Sequence, residues 1–261
     1  MRRFYGMMIL IALLVSGCGS GSGGGASAAN DATGTGGSMA RFAIVGDKLY
    51  TLNRRTINAF DIAQPTVPIP EISQPVPFDV ETLHAYKNYL YVGAETGVYI
   101  YDQSLNQVAK FTHLRSCDPV VVQDDVAFVT LNSSNGCHLD SGENSLQVLD
   151  VRDPLKPVLI KTKNMYAPSG LGIDGKNLFV CDGAGGLKLF DVNVTKNNET
   201  NKTAVTLTFN RASSRADIDC YDVIAHKGLL VVSNGEDVRE YDYTRLPMVD
   251  LGIIRTKTIM Q

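Results

Sequence analysis

Three aspartates, Asp79, Asp118 and Asp222, each stand near the start of the predicted inner strand of a repeated β unit. Carboxylates gathered at one point can hold Ca²⁺ through oxygen ligands or bind a polar ligand. Two carboxyls about 5–10 Å apart can also act as the acid and the nucleophile or base of a glycosidase. A structural alternative is that each Asp accepts hydrogen bonds from nearby backbone N–H groups. Because these residues recur with the repeat, we predict no catalytic residue and no resident cofactor, and keep the three aspartates as possible ligand or ion contacts.

A second group of polar residues lies in an insertion at 133–144, which carries His138, Asp140 and Glu143. Long loops on a rigid scaffold are where binding residues concentrate, although a polar insertion can also be merely solvated. The four histidines form no HxH or HExxH pattern, no GxSxG motif is present, and the glycine-rich run at 183–186 precedes no helix. The sequence therefore indicates neither a zinc hydrolase, nor a serine hydrolase, nor a phosphate-binding loop.

Five cysteines are present, and the first of them belongs to the export signal described below. The remaining four are an even number with no CxxC pair, which favours disulfides over a zinc site. Cys117 is predicted to lie beside the loop that carries Cys137, so we predict a Cys117–Cys137 disulfide. A Cys181–Cys220 disulfide would join two adjacent units, with a buried free thiol at Cys181 as the alternative.

The N-terminal 18 residues are typical of an exported lipoprotein. Arg2 and Arg3 precede an apolar run at 6–15 that is too short to span a membrane, and Val15-Ser16-Gly17-Cys18 resembles a bacterial lipobox. That resemblance implies cleavage before Cys18 and its lipidation. Residues 19–38 contain eight Gly and four Ser, a composition typical of a flexible tether. We therefore predict a lipid-anchored protein at the outer membrane or cell surface.

The composition of the whole sequence narrows the class of protein. Of the 261 residues, 44% are apolar and 20% charged, which excludes disorder of the whole chain. Its 24 basic residues are fewer than its 27 acidic residues, so no basic excess is available for binding nucleic acid. We expect a monomer that touches the membrane only through its lipid.

From residue 39 onward, one pattern recurs five times: a strand, a tight polar turn, an apolar strand, a loop, and a third strand that ends in Asp. The turns are Gly46-Asp47, Lys87-Asn88, Asp124-Asp125, Asp174-Gly175 and Lys227-Gly228. The terminal residues of the third strands are Asp61, Asp102, Asp150, Asp191 and Asp242. We predict a structural role for these five aspartates.

The terminal aspartates are 41, 48, 41 and 51 residues apart. Four short strands in about 45 residues are typical of a β-propeller blade. We predict an all-β, five-bladed β-propeller of four-stranded antiparallel blades over residues 39–261. The predicted blades are 39–77, 78–116, 117–168, 169–219 and 220–261.

The repeat resembles the LVIVD family, whose units pair a hydrophobic-Tyr-Val strand with a glycine-led strand ending in Asp. Leu90-Tyr91-Val92 followed by Gly97-Val98-Tyr99-Ile100-Tyr101-Asp102 carries this resemblance. It covers the whole chain beyond the tether. The resemblance implies a propeller on the cell surface, and it supplies no settled activity and no catalytic residues.

Taken together, the sequence favours a noncatalytic binding scaffold for a protein or glycan partner. The predicted contact surface is the face of the propeller that carries the loop with Cys137 and the mouth of the central channel, where the inner strands with Asp79, Asp118 and Asp222 begin. The alternatives are a carbohydrate-active hydrolase that uses the channel-mouth carboxylates and an accessory lipoprotein for outer-membrane assembly.

Overall fold

The computed structural model describes residues 36–112, 119–133, 144–197, 199–200 and 202–255, which form twenty strands. Blade 1 contains β1 (Phe42–Val45), β2 (Lys48–Asn53), β3 (Thr56–Asp61) and β4 (Ile69–Pro75). Blade 2 contains β5 (Val80–Tyr86), β6 (Tyr89–Ala94), β7 (Gly97–Asp102) and β8 (Gln107–Thr112). Blade 3 contains β9 (Val120–Gln123), β10 (Val126–Leu131), β11 (Ser145–Asp150) and β12 (Val158–Asn164).

The last two blades follow the same order. Blade 4 contains β13 (Leu171–Asp174), β14 (Asn177–Cys181), β15 (Leu187–Asn197) and β16 (Lys202–Phe209), with a short 3-10 turn at Gly183–Gly185. Blade 5 contains β17 (Asp222–His226), β18 (Leu229–Ser233), β19 (Asp237–Asp242) and β20 (Val249–Arg255). Each sheet has four antiparallel strands paired in chain order, so the predicted fold class is confirmed.

The first two strands of each blade meet at a polar turn that needs left-handed backbone. Asp124 and Asp125 have φ values of 53° and 64°, and Lys87 has 52°. Asp and Asn tolerate this region better than most residues, and glycine does so best. This requirement explains why the predicted turns contain Gly, Asn or Asp in every unit.

Each blade has two faces, and we call the face toward the preceding blade its front and the face toward the following blade its back. The central residue of the second strand points to the back and is fully buried in blades 1 to 4, as Tyr50, Tyr91, Phe128 and Phe179. Four apolar clusters result, one between each pair of consecutive blades. The continuous apolar runs of these strands are explained by burial on both faces.

The inner strands pack in series around a central channel: β1 on β5, β5 on β9, β9 on β13, and β13 on β17. Among the described residues, no comparable packing joins β17 to β1, and no apolar cluster contains residues of both blade 5 and blade 1. The ring therefore has one unpacked junction, which we call the open seam.

Four of the five aspartates predicted to end the third strands have the structural role predicted for them. The fifth, Asp191, does not end its strand, because β15 continues to Asn197 and Asp191 pairs with Thr208 of β16. Asp61, Asp102 and Asp242 each accept a hydrogen bond from the backbone N–H two residues later, at 2.8–2.9 Å. Asp150 makes the same contact with Arg152 at 3.1 Å. These Asx turns set the direction of the chain as it enters the outer strand.

Blade 4 has the longest third strand. The polar segment 195–202 follows Val194, and its first three residues extend β15 and pair with β16. Val192, Val194 and Val205 line one side of this longer hairpin and pack toward the core. Alternating valines and threonines therefore continue the ladder where composition alone indicated a loop. In the described part of the chain, no helix is long and apolar enough to cross a membrane.

Candidate functional site

A short segment at residues 36–40 crosses the mouth of the channel. Ser38, which is 1% exposed, donates a hydrogen bond from Oγ to Asp222 Oδ1 at 3.1 Å and accepts one from the backbone N–H of Leu171 at 2.8 Å. On the other side, the N–H of Leu83 donates to the carbonyl of Ala40 at 2.8 Å. The segment thus links blade 2 to blades 4 and 5, and we call it the latch.

The position of the latch corrects the predicted extent of the tether. Residues 36–38 were assigned to the flexible tether because they continue its Gly and Ser composition. They lie instead in the channel mouth, where Ser38 is held by partners from two blades. Composition missed this because small residues suit both a flexible linker and a close approach of backbone to other atoms.

Two glycines make room for the Asp222 carboxylate. A Cβ on Gly37 would lie 2.2 Å from Asp222 Oδ2, and a Cβ on Gly170 would lie 2.3 Å from Asp222 Oδ1. The Cβ on Gly170 would also lie 2.5 Å from the Asp222 Cα, where no side-chain movement relieves the contact. Glycine is therefore required on both sides of this carboxyl group.

This enclosure changes the acidity of Asp222. Burial raises its pKa to about 6, against the opposing effect of hydrogen bonds from the Val223 N–H, the Ser38 hydroxyl and the Met39 N–H. Desolvation penalises the charged form more than these donors stabilise it. Asp222 is consequently a carboxyl group beneath the latch whose pKa lies well above that of an exposed aspartate.

Below the latch, the channel contains a small cavity of about 80 Å³. Its lining comes from the latch and from four of the five inner strands: Gly36, His84, Val121, Val122, Gln123, Gly172, Ile173, Val223, Ile224 and Ala225. The His84 Nε2–H donates to the Val122 carbonyl at 3.3 Å, and burial lowers the pKa of His84 to about 4. The cavity thus presents aliphatic walls and a neutral imidazole.

Asp79, the other predicted contact whose position is described, lies apart from this enclosure. It is exposed at the surface and pairs with Arg55 at 3.0 Å. Its contacts involve none of the partners of Asp222. The structure therefore does not bring these two carboxylates into one site, and an exposed pair of this kind contributes little to stability.

Several predicted residues lie outside the described residues, so their predicted roles stay predictions. They are Cys18, Cys117, Asp118, Cys137, His138, Asp140 and Glu143. Within the described ranges, no three His, Cys, Asp or Glu side chains come together as metal ligands.

The predicted Cys181–Cys220 disulfide is confirmed, and the alternative of a free thiol at Cys181 is wrong. The two Cα atoms are 5.4 Å apart, within the range that a disulfide needs. The bond joins the end of β14 to the segment before β17, and both residues lie in the apolar cluster between blades 4 and 5. It covalently links two blades that also share the Asp222 enclosure.

Asp182, which follows this disulfide, is a buried carboxylate that sequence reasoning missed. Its Oδ1 accepts hydrogen bonds from the N–H groups of Tyr166 and Ala167 at 2.8 and 3.0 Å, and its Oδ2 pairs with Lys188. These contacts fix the connection from blade 3 to blade 4, where the Tyr166 side chain is 63% exposed. The next connection, from blade 4 to blade 5, presents Tyr221, which is 50% exposed. For the buried Asp182, the only sequence signal was the Asp-Gly pair at 182–183, which predicts a turn.

Comparisons with solved structures agree with the architecture. The periplasmic gluconolactonase PpgL of Pseudomonas aeruginosa superposes with a TM-score of 0.56 at 14% identity, covering 80% of this chain and 68% of that one. Hsv2 of Kluyveromyces lactis gives 0.51 at 10% identity, covering 80% and 60%. AztD of Citrobacter koseri gives 0.51 at 11% identity, covering 80% and 58%. At these identities the likeness shows the β-propeller fold alone.

The chain spans about three fifths of the length of the Hsv2 chains that it matches. No protein-family model and no curated protein match the sequence.

Proposed function

We propose that this protein is a noncatalytic binding scaffold of the bacterial cell envelope, held at the membrane through a lipid on Cys18. The observation that carries the proposal is the latch. Ser38 and Gly37 cover Asp222 at the mouth of the channel, where a propeller enzyme would need an accessible carboxyl group. Because the protein's own backbone covers this carboxyl group, we place the contact with a partner on the outer surfaces.

The connections that lead into blades 4 and 5 offer such a surface. Tyr166 and Tyr221 are exposed on neighbouring connections, and each is positioned by main-chain hydrogen bonds: the Tyr166 N–H to Asp182, and the Tyr221 N–H to the Ser233 carbonyl at 2.6 Å. Rigidly held tyrosines are common anchors in binding sites because they bury a large area at low entropic cost. They suit either a protein surface or the apolar face of a sugar.

The envelope location rests on the export signal, the lipobox and the tether. The Cys181–Cys220 disulfide is in keeping with an oxidising compartment. The resemblance to LVIVD repeat lipoproteins agrees with the same location, and the lipid and the tether would leave the propeller free to meet partners near the membrane.

A hydrolase is the second candidate, because a carboxyl group with a raised pKa is a common feature of catalytic sites. PpgL, a propeller of similar fold, is named as a gluconolactonase. Against this candidate, Asp222 is enclosed and Asp79 is paired with Arg55 at the surface, so these two predicted carboxyls do not face one open pocket. Lactone and glycoside hydrolysis by wild type and by the Asp222→Asn variant would test it. Activity that this variant loses would favour the enzyme over the scaffold.

The scaffold itself is tested by capture of partners from solubilised envelopes. We expect the wild-type chain to retain a defined set of proteins or glycans, and the Tyr166→Ser/Tyr221→Ser variant to lose them. A deletion within 133–144 tests the predicted contribution of that loop in the same assay. A control is Leu159→Ser, which changes an apolar residue of β12 that is 41% exposed on blade 3. If no partner is retained by any form, the scaffold proposal is wrong.

A further inference from the structure

A groove of about 330 Å³ opens between the outer parts of blades 1 and 2, and we call it the rim groove. One wall is the end of β4 with the connection at 75–77, and the other is the loop between β7 and β8. That loop comprises residues 103–106, whereas the corresponding loops of blades 1, 3 and 5 are longer, at 62–68, 151–157 and 243–248. The volume lies at the lower end of the range for small-molecule sites.

The rim groove contains a buried hydroxyl group without a partner. Tyr101 lines the groove and is 3% exposed, and its hydroxyl makes no hydrogen bond within the part of the chain that the structure describes. The hydroxyl oxygen is still accessible, whereas that of Tyr241, its equivalent in blade 5, is sealed. Burial raises the pKa of Tyr101 to about 12, so the hydroxyl keeps its proton at neutral pH. A buried hydroxyl without a partner is costly, and a ligand in the groove would supply the missing hydrogen bond.

The repeat does not require a hydroxyl at this position. The residues that correspond to Tyr101 in blades 1, 3 and 4 are Phe60, Leu149 and Phe190. An apolar side chain is therefore sufficient for packing against the second strand there. The hydroxyl of Tyr101 is available for a role outside the fold.

The loop beside Tyr101 is held in a fixed and unusual conformation. Leu105 has a φ of 60°, in the left-handed region that bulky residues rarely adopt, and it is 2% exposed. Asp102 accepts hydrogen bonds from the backbone N–H groups of Ser104 and Asn106, both at 2.9 Å. The Asn106 Nδ2–H donates to Asp102 Oδ2 at 3.0 Å, which leaves Asn106 Oδ1 available to a ligand. This wall of the groove is thus ordered before any ligand binds.

The remaining lining is polar and uncharged. The carboxamides of Gln74, Asn106 and Gln107 lie on the groove, beside the rings of Pro75 and Pro77. Among the described residues that line it, none is ionisable at neutral pH apart from the protonated tyrosine. A charged ligand would lose hydration without gaining an opposite charge. An apolar ligand would leave the hydroxyl and the carboxamides unpaired, so the lining favours an uncharged ligand that is rich in hydrogen-bonding groups.

A sugar suits this lining better than a peptide. Each sugar hydroxyl both donates and accepts, as the carboxamides and the tyrosine do. An extended peptide would instead add to a row of free backbone donors and acceptors. Pro75 and Pro77 have no N–H, and the N–H of Val76 already donates to the Arg55 carbonyl at 2.9 Å. The wall at 75–77 therefore offers a peptide no backbone donor.

We propose that the rim groove binds a neutral saccharide of one or two sugar units, with the Tyr101 hydroxyl as a hydrogen-bonding partner. The carboxamides bond the other sugar hydroxyls, and the proline rings contact the C–H face of the sugar. This inference rests on the proposed binding function and names its ligand class.

Saturation-transfer NMR on the full chain tests the proposal. The probe is a panel of neutral mono- and disaccharides built from hexoses, N-acetylhexosamines and pentoses, each at millimolar concentration. We expect saturation transfer to at least one member, with an affinity that can be titrated. The uronic acid counterpart of that sugar should bind about tenfold more weakly or less, since no cation lines the groove to pair with its carboxylate.

Two matched variants locate the binding. Tyr101→Phe should lower the affinity for the sugar roughly fivefold to tenfold, as expected for the loss of one hydrogen bond. Its urea midpoint should stay that of wild type, because Phe occupies this position in blades 1 and 4 and no internal hydrogen bond is lost. Tyr241→Phe removes the sealed hydroxyl at the same position of blade 5 and should leave the affinity unchanged.

The other outcomes overturn the proposal. If no member of the panel shows transfer, the groove is not a saccharide site. An affinity that Tyr101→Phe leaves unchanged, or that Tyr241→Phe lowers equally, shows that the sugar binds elsewhere. Binding of the uncharged peptide acetyl-tetra-alanine-amide in place of the sugars, and its loss in Tyr101→Phe, shows that the groove takes a peptide.

The scaffold proposal fails separately from this one. Capture of envelope partners through Tyr166 and Tyr221, without binding of any sugar, keeps the scaffold and rejects the saccharide site. Sugar binding that depends on Tyr101, without capture of any partner, does the reverse.

Discussion

At the scale of residues, burial shifts the pKa values of two titratable groups in opposite directions. It raises the pKa of Asp222 and lowers the pKa of His84. Both belong to the enclosed mouth and interior of one channel. Each shift favours the uncharged form of the side chain, because an isolated charge is costly in a poorly solvated space. Their effects on stability therefore oppose one another.

The first prediction concerns pH. Asp222 has a pKa of about 6 against an ordinary 3.8, so its contribution to stability is complete below 3.8 and is lost as pH rises through 6. His84 has a pKa of about 4 against an ordinary 6.5, so its contribution is complete above 6.5 and is lost as pH falls through 4. Each is worth about 3 kcal/mol. Between pH 4 and 6 the two contributions should largely cancel.

Urea unfolding of His84→Gln separates them. Without the imidazole, the free energy of unfolding should rise by about 2 kcal/mol, relative to wild type, as pH falls from 6 to 4. Asp222→Asn should show the opposite slope. Identical pH profiles for wild type and both variants would contradict the displaced pKa values.

The second prediction uses the glycines beside Asp222. Gly37→Ala and Gly170→Ala should each destabilise the fold by about 1–3 kcal/mol, since an added Cβ overlaps existing atoms. The two differ in what the Cβ meets. On Gly37 the three nearest atoms all belong to the Asp222 side chain, whereas on Gly170 they include the Asp222 Cα and the Tyr221 carbonyl oxygen.

A double-mutant cycle distinguishes these cases. In the Asp222→Ala background, Gly37→Ala should cost little further stability, while Gly170→Ala should keep most of its cost. Equal rescue of both substitutions would show that the Gly170 backbone does not approach β17 as closely as described.

At the scale of elements, the disulfide and the latch hold the same two blades by different means. The Cys181–Cys220 bond joins β14 to the segment before β17 over a separation of 39 residues. The latch joins Leu171 of β13 to Asp222 of β17 through Ser38. The blade 4–blade 5 junction is thus reinforced beside the open seam, where blade 5 has a neighbour on one face only.

The third prediction is the cost of removing the disulfide. Cys181→Ser/Cys220→Ser should lower the free energy of unfolding by about 4 kcal/mol in the chain-entropy account, measured by urea unfolding. Adding reductant to this double variant then tests the other predicted pair. A further loss of about 3 kcal/mol indicates a Cys117–Cys137 bond, and no further loss rejects it.

At the scale of the whole molecule, the open seam makes stability uneven along the ring. Blades 2, 3 and 4 are covered on both faces, whereas blades 1 and 5 are covered on one. Regions with few buried apolar contacts open at lower free energy than the core. The ends of the arc are therefore the expected sites of local unfolding.

Hydrogen exchange measures this directly and provides the fourth prediction. Amides of β19 and β20 should exchange faster than those of the equivalent strands β11 and β12 in blade 3. In both blades these are the third and fourth strands of the sheet, so the comparison isolates the effect of the missing neighbouring blade. Equal protection of the two blades would mean that the seam is closed in solution.

The sequence by itself determined the repeat and therefore the fold. Turn residues with left-handed backbone, apolar second strands and terminal aspartates are local requirements, satisfied within a few residues along the chain, and so a spacing pattern reveals them. The same local logic predicted that the aspartates ending the third strands would be structural.

Only the tertiary structure decided the latch, the fate of the channel-mouth aspartates and the open seam. Ser38 and Asp222 are 184 residues apart, and no local pattern records that they meet. Asp79 and Asp222 occupy similar places in their repeats, yet one pairs with Arg55 at the surface and the other is enclosed beneath glycine backbone. Whether blade 5 meets blade 1 depends on the accumulated angle of four earlier junctions, a property of packing across the whole ring and not of any segment within it.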